Sequence, residues 1–179
     1  MAWILLAYRI PSEPSRPRVA LWRRLRSRGA IYLQNGVCLL PKTDSHIRVL
    51  KTIANDIKRA NGDSVLVEAT GFDGEQERLI LNRFRAPRTR EYRSLCEQCA
   101  HFTRSIANDI DTGNLSLATL DAREIRLKKL HRIFDENRKV DFCDADGRLD
   151  AVHALQQCER QLNELAQMCF QSNGREASS

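Results

Sequence analysis

The segment Gly29-Ala30-Ile31-Tyr32-Leu33-Gln34-Asn35-Gly36-Val37-Cys38-Leu39-Leu40-Pro41 decides how the front of the chain folds. Ile31-Tyr32-Leu33 and Val37-Cys38-Leu39-Leu40 are short strand runs on either side of Gln34-Asn35-Gly36. Asn-Gly is the strongest short hairpin signal, because both residues tolerate positive φ. Pro41 closes the second run and Gly29 marks the end of whatever precedes the first.

Upstream, Trp3 to Ile10 is an apolar run of strand length ending at Pro11, which reads as a buried first strand. Pro11 to Ser15 is a loop. Ser15 can cap a helix that tolerates Pro17 in its first turn and stops at Gly29. Its expected core stripe is Trp22 and Leu25, with Leu21 near the same side. Arg16, Arg23 and Arg24 then point away, with Arg26 and Arg28 on the flanks. Trp3 and Trp22 are both read as structural: one starts the strand, the other anchors the helix.

Downstream, Asp44 or Ser45 caps a second helix whose apolar face is Ile47, Leu50, Ile53, Ala54 and Ile57, ending at Asn61-Gly62. Ser64 to Ala69 is a fourth strand. The order β-α-β-β-α-β within residues 3–70 is the ferredoxin-like pairing of two split βαβ units. Such a sheet is antiparallel and packs both helices on one face, so the other face must be covered or used.

After Gly71 the pattern is helical throughout. Glu75 to Phe84 reads as a short helix ending before Pro87. Glu91 to Ile110 carries Tyr92, Leu95, Cys96, Cys99, Phe102 and Ile106 at helical spacing, and Leu120 to Val140 carries Leu127, Leu130, Ile133 and Phe134. A last helix follows the turn Asp144-Ala145-Asp146-Gly147, with Leu149, Val152, Leu155, Cys158, Leu162, Leu165 and Cys169 inward. The expected class is α+β: a ferredoxin-like domain over 1–71, an antiparallel helical region over 72–171 and a flexible tail over 172–179.

Composition limits the function classes. The 179 residues include 42% hydrophobic and 29% charged side chains, a globular balance. No run reaches the ~18 apolar residues of a membrane helix. The opening residues lack the basic start of a signal peptide, so a cytoplasmic protein is expected. Six cysteines leave disulfides open on count alone, but the absence of an export signal favours reduced thiols. The net charge of +6 is concentrated at the front: residues 1–43 hold eight Lys/Arg against one acid, Glu13, and the remainder holds 21 against 22. A field so placed attracts polyanions or small anions, unless it is simply the solvated face of an arginine-rich helix.

Tyr8-Arg9-Ile10-Pro11-Ser12-Glu13-Pro14-Ser15-Arg16, then Leu21-Trp22-Arg23-Arg24-Leu25, then Gly29 to Pro41, resemble the N-terminal domain of the chromate-resistance regulator ChrB. The resemblance weakens through the helical part but persists. It implies a regulatory protein of chromate resistance that controls an efflux transporter and binds DNA or assists a DNA-binding assembly. Longer ChrB regulators carry a further C-terminal domain for which this length leaves no room, so a stand-alone copy is expected. The same outline is similar to the C-terminal part of the phenylacetate repressor PaaX and to the small CRISPR-adaptation proteins. Outline alone transfers no function.

The candidate nucleic-acid or anion-binding residues are Arg16, Arg18, Arg23, Arg24, Arg26 and Arg28, with Lys128 and Lys129 as a second basic group. Guanidinium groups match phosphate and other oxyanions, chromate included, in bidentate fashion. A third basic group, Arg83 to Arg93, surrounds Pro87. Cys96 and Cys99 have metal-binding CxxC form, but lack a second ligand pair and continue an apolar stripe, which favours packing. A nuclease of the CRISPR-adaptation type needs a carboxylate at the end of the first strand; Tyr8-Arg9-Ile10 stands there. Serine-hydrolase, Walker and dinucleotide motifs are absent. The expectation is therefore a non-enzymatic, cofactor-free regulator, a homodimer with DNA as partner and no membrane association. A homo-oligomeric interaction module without nucleic-acid binding is the alternative.

Overall fold

The computed structural model describes residues 1–13 and 15–176, with side chains described to residue 172. Its elements run β1 (Trp3–Arg9), α1 (Ser15–Ser27), β2 (Ile31–Gln34), β3 (Val37–Pro41), α2 (Asp44–Arg59), β4 (Asp63–Ala69), α3 (Gly74–Asp111), α4 (Leu117–Arg138) and α5 (Arg148–Glu176). They form two compact units, Met1–Arg85 with Val140–Cys143, and Ala86–Lys139 with Asp144 onward.

In the first unit the sheet order is β2-β3-β1-β4, every neighbouring pair antiparallel. Leu6 lies opposite both Cys38 and Leu66, so β1 is the central ladder on which β3 and β4 are hung. This is the ferredoxin-like arrangement expected from the element order. One sheet face presents Ile4, Leu6, Cys38 and Leu40 to Leu21 and Leu25 of α1 and to Leu50, Ile53 and Ile57 of α2. The stops that set these helices are local. Gly29, at φ 77°, and Ala30 donate back to Arg26 and Leu25. Asn61, at φ 55°, and Gly62 close α2 the same way onto Lys58 and Ile57. The N-cap of α2 is Thr43, whose hydroxyl accepts from the His46 amide at 3.1 Å, rather than Asp44 or Ser45. Asp44 instead occupies the first turn, where its charge complements the helix dipole.

The other sheet face is covered in part within the same unit. Trp3 and Leu39 pack with Phe84 and Cys143, and the Trp3 and Phe84 rings stack at 4.9 Å. The first turns of α3 therefore belong with the sheet, which carries the unit boundary past residue 71 to Arg85. The hairpin also departs from expectation. Only Gly36 takes positive φ (74°), Asn35 does not, and the pairing of β2 with β3 shifts register between Tyr32 and Gln34. One extra residue on β2 absorbs the turn as a bulge.

Pro87 does not end a helix: α3 is one element of 38 residues with the proline inside. An interior proline costs about 3 kcal/mol through its lost amide and steric clash. Burial on both sides offsets this, through Phe84 in one unit and Tyr92, Leu95, Cys99, Phe102 and Ile106 in the other. The second unit is a three-helix core. Leu120, Leu127, Leu130 and Phe134 of α4, and Ala151, Leu155, Cys158, Leu162, Leu165 and Cys169 of α5, recur mostly at three- and four-residue spacing or its multiples. Asn137 donates to the Arg88 carbonyl and Arg123 reaches Asp109, so α3 and α4 run antiparallel. Leu149, expected inside, is 73% exposed, with Ala151 in its place. Helix α5 continues past residue 172 to Glu176, and residues 177–179 of the expected tail lie outside the described residues.

Candidate nucleic-acid interface

Helix α1 buries a narrow stripe of two residues, Leu21 and Leu25, four apart. Trp22 is the next residue round the helix from Leu21 and lies outside that stripe, 42% exposed. The expectation that Trp22 anchors the helix is therefore corrected: Leu25, fully buried, does so. Trp22 shares a flank with Arg18 and Arg26, four residues before and after it. The Arg26 guanidinium lies 5.1 Å from the centre of the Trp22 ring, a cation–π contact.

Arg16, Arg18, Arg23, Arg24, Arg26 and Arg28 are all exposed, but they do not act alike. Arg24 is turned to α2 and pairs with Asp56. Among the described residues no carboxylate pairs with Arg16, Arg18, Arg23 or Arg28. No acid stands in the first turn of α1 either, so the positive end of the helix carries further positive charge.

Beside the Arg18-Trp22 flank a cleft of about 780 Å³ opens, lined by Tyr8, Arg9, Arg18, Val19, Trp22 and Tyr32, with Ile10, Asn35 and Gly36 completing the wall. The topology makes it. The end of β1 is held against the hairpin turn by the Tyr8 amide, which donates to the Gly36 carbonyl at 2.6 Å. Tyr8 and Tyr32 project from the same side of the sheet, and their hydroxyls lie 3.3 Å apart. Burial, reinforced by the Tyr8 hydroxyl, pushes the Tyr32 phenol above its ordinary range. Tyr32 thus stays neutral and offers a hydrogen bond rather than a charge.

The remaining candidates lie elsewhere. Lys128 pairs with Glu124 at 3.5 Å and Lys129 is exposed, both on α4 in the second unit. Around them, Arg123 is tied to buried Asp109 at 2.7 Å, His131 to Glu159 and Arg132 to Glu136, so much of that basic group serves its own unit. Of the group around Pro87, Arg85 donates to the Cys143 carbonyl at 2.8 Å and Arg88 pairs with Glu91. No disulfide joins the six cysteines. Cys99 is buried beside Cys158, whose thiol donates to the Cys99 carbonyl, and both the Cys158 contact and burial raise the Cys99 thiol. Cys96 is raised by burial. Among the described residues no three His, Cys, Asp or Glu side chains converge on a metal position. Also among them, no helix is long and apolar enough to cross a membrane.

Sequence reasoning missed Tyr8, Tyr32 and the exposure of Trp22. The signal for Trp22 was present as Arg18-x-x-x-Trp22-x-x-x-Arg26, an aromatic between two cations on one helical row. The pairing of Tyr8 with Tyr32 needed the strand order.

The fold and site define a split-βαβ α+β protein with a cationic, aromatic cleft at the end of its first strand. The model of the family "Protein ChrB, N-terminal" matches residues 18–176, and the chain belongs to that family. The match begins within α1 and takes in β2, β3 and β4 as well as the helical unit. Protein ChrB of Cupriavidus metallidurans is 28% identical over 143 residues, covering 79% of this chain and 40% of that protein. The chain therefore spans less than half the length of this curated relative.

Proposed function

We propose that this chain is a regulatory protein of chromate resistance that binds DNA, or assists a DNA-binding assembly, through α1, and that it catalyses no reaction. The observation that carries the reading is the run of six exposed arginines on and just beyond one helix, of which only Arg24 has a carboxylate partner among the described residues. Phosphate contacts supply sequence-independent affinity and orient a protein on the duplex. No groove-reading element is assigned, so the proposal concerns backbone binding. An oxyanion such as chromate is met by the same guanidinium chemistry.

The test is duplex binding at graded salt, with Arg16→Glu, Arg18→Glu and Arg23→Glu combined. Loss of three phosphate contacts lowers the steepness of log K against log salt by roughly 2–3. Unchanged binding in the triple variant, or none at low salt in the parent, removes the proposal. Magnesium-dependent cleavage of nucleic acid is expected to be absent.

A second reading rests on β4. It is an edge strand, and its Val65 and Val67 are 55% and 47% exposed. An unprotected edge of this kind suits pairing with a second copy. A homodimer through β4 would dissociate in Val67→Lys, measured by light scattering coupled to size exclusion.

A further inference from the structure

We infer that the cleft beside α1 is a stacking site for an unpaired nucleobase carrying phosphate, distinct from the contact of the arginines with a duplex backbone. Four observations converge on it. First, Trp22 is a large aromatic left 42% exposed on a helix whose burial is complete without it. The ring borders the cleft. Second, Arg26 already lies over that indole at 5.1 Å, and Arg18 lines the cleft one turn away, so cations flank the ring on its own helical row. Third, the same cleft is lined by Tyr8 and Tyr32, whose hydroxyls lie 3.3 Å apart and can donate to and accept from the polar edge of a base. Fourth, the cleft measures about 780 Å³, within the roughly 300–1,000 Å³ of small-molecule sites and far more than one tetrahedral oxyanion fills.

Charge alone does not explain this set. A backbone-binding surface needs guanidinium groups and gains nothing from an exposed indole that shares a cleft with two phenols. Aromatic platforms flanked by arginine are how proteins hold unstacked bases, each stacked base adding about 1–3 kcal/mol. The base is buried inside a duplex, so the ligand is a nucleotide unit of a single strand or a free mononucleotide. Both present the same ring and phosphate.

The test uses the full chain and a dye-labelled hexadeoxyadenylate, read by fluorescence anisotropy. Competitors are deoxyadenosine monophosphate, unlabelled hexadeoxyadenylate, inorganic pyrophosphate and a blunt duplex. Saturable binding is expected, with pyrophosphate at least tenfold weaker than the mononucleotide. Trp22→Ala should weaken the hexanucleotide about tenfold, Trp22→Phe should restore much of it, and Arg18→Ala should weaken it while leaving preference for a base intact. Far-UV circular dichroism confirms that each variant is folded. Stronger competition by the mononucleotide than by the unlabelled strand assigns the site to a free nucleotide; stronger competition by the strand assigns it to a strand. Equal competition by pyrophosphate, or unchanged affinity in Trp22→Ala, overturns the inference. Duplex binding separates the two ideas. If it survives in Trp22→Ala while the hexanucleotide also binds unchanged, the cleft fails and the backbone reading stands. If duplex binding is absent but the hexanucleotide depends on Trp22, the reverse holds.

Discussion

Gly36 is the residue on which both the hairpin and the cleft turn, and Gly36→Ala measures how tightly they are coupled. At Gly36 φ is 74°, a conformation that costs a residue with a Cβ about 1–2 kcal/mol. A Cβ there would also stand well inside contact distance of the Tyr8 carbonyl oxygen, a backbone atom of the central strand. Restoring ordinary contact requires a retreat of about 1 Å, an overpacking cost of about 1–3 kcal/mol. The same retreat lengthens the bond from the Tyr8 amide to the Gly36 carbonyl, worth about 0.5–1.5 kcal/mol. The sum is a loss of about 2.5–6.5 kcal/mol, accompanied by separation of the Tyr8 and Tyr32 hydroxyls. Gly74→Ala is the control within the same unit. Nothing lies within 4 Å of its added Cβ and its φ is not positive, so it should be neutral or stabilising by up to about 1 kcal/mol. Urea unfolding followed by tryptophan fluorescence reads this unit, since Trp3 and Trp22 both belong to it. A Gly36→Ala midpoint matching that of Gly74→Ala would refute the close approach of turn and strand.

Leu25→Ala should cost about 2–5 kcal/mol in the same assay, because it empties a fully buried position, whereas Trp22→Phe should cost under about 1 kcal/mol. Arg123→Ala leaves the Asp109 carboxylate, which is 3% exposed, with the Asn114 amide but no cation, and should destabilise the helical unit by about 3–5 kcal/mol by circular dichroism at the helix band; replacing both by Leu and Met should cost less. Glu77 is held below its ordinary carboxylate range by the N-terminal ammonium, the Trp3 indole and the Gly71 amide. A lowered folded value means stability that is present above the unfolded carboxylate range and lost as pH falls through the folded one. Glu77→Gln should therefore flatten the loss of melting temperature on acidification, and an unchanged acid limb would count against that contact.

The front of the chain is legible because its signals are local. Asn35-Gly36 signals a hairpin, Gly29 and Asn61-Gly62 end helices, and apolar runs of strand length mark β1 and β3. What is not legible depends on partners far along the chain. Pro87 reads as a stop unless the burial of Phe84 and Tyr92 on either side is known. The covering of Trp3 by Phe84 spans 81 residues of sequence, so no window shows that α3 begins as part of the sheet unit. Trp22 reads as inward because large aromatics commonly are, yet a one-residue shift of the stripe to Leu21 and Leu25 turns its ring toward solvent. The arginines are visible as a composition, but their division is not. Arg24 is drawn off by Asp56, a residue on another helix, and Arg26 by Trp22.

That division bears on why α1 is built as it is. A helix gains when acids occupy its first turn and when like charges are kept from positions three and four apart. Here Arg16 and Arg18 stand where acids belong, and the pairs Arg23–Arg26 and Arg24–Arg28 repeat the conflict along the helix. Each such conflict costs only tenths of a kcal/mol at a screened surface, but they all carry one sign and nothing in the first unit's described ion pairs relieves more than Arg24. The helix survives because Leu21 and Leu25 fasten it to the sheet, so its outer surface is free to be electrostatically unfavourable on its own. An anionic ligand of the kind proposed would remove that penalty and gain its own contacts at the same time. The stability held in the Leu21-Leu25 stripe is thus what allows Arg16, Arg18, Arg23 and Arg28 to stand without a carboxylate partner among the described residues.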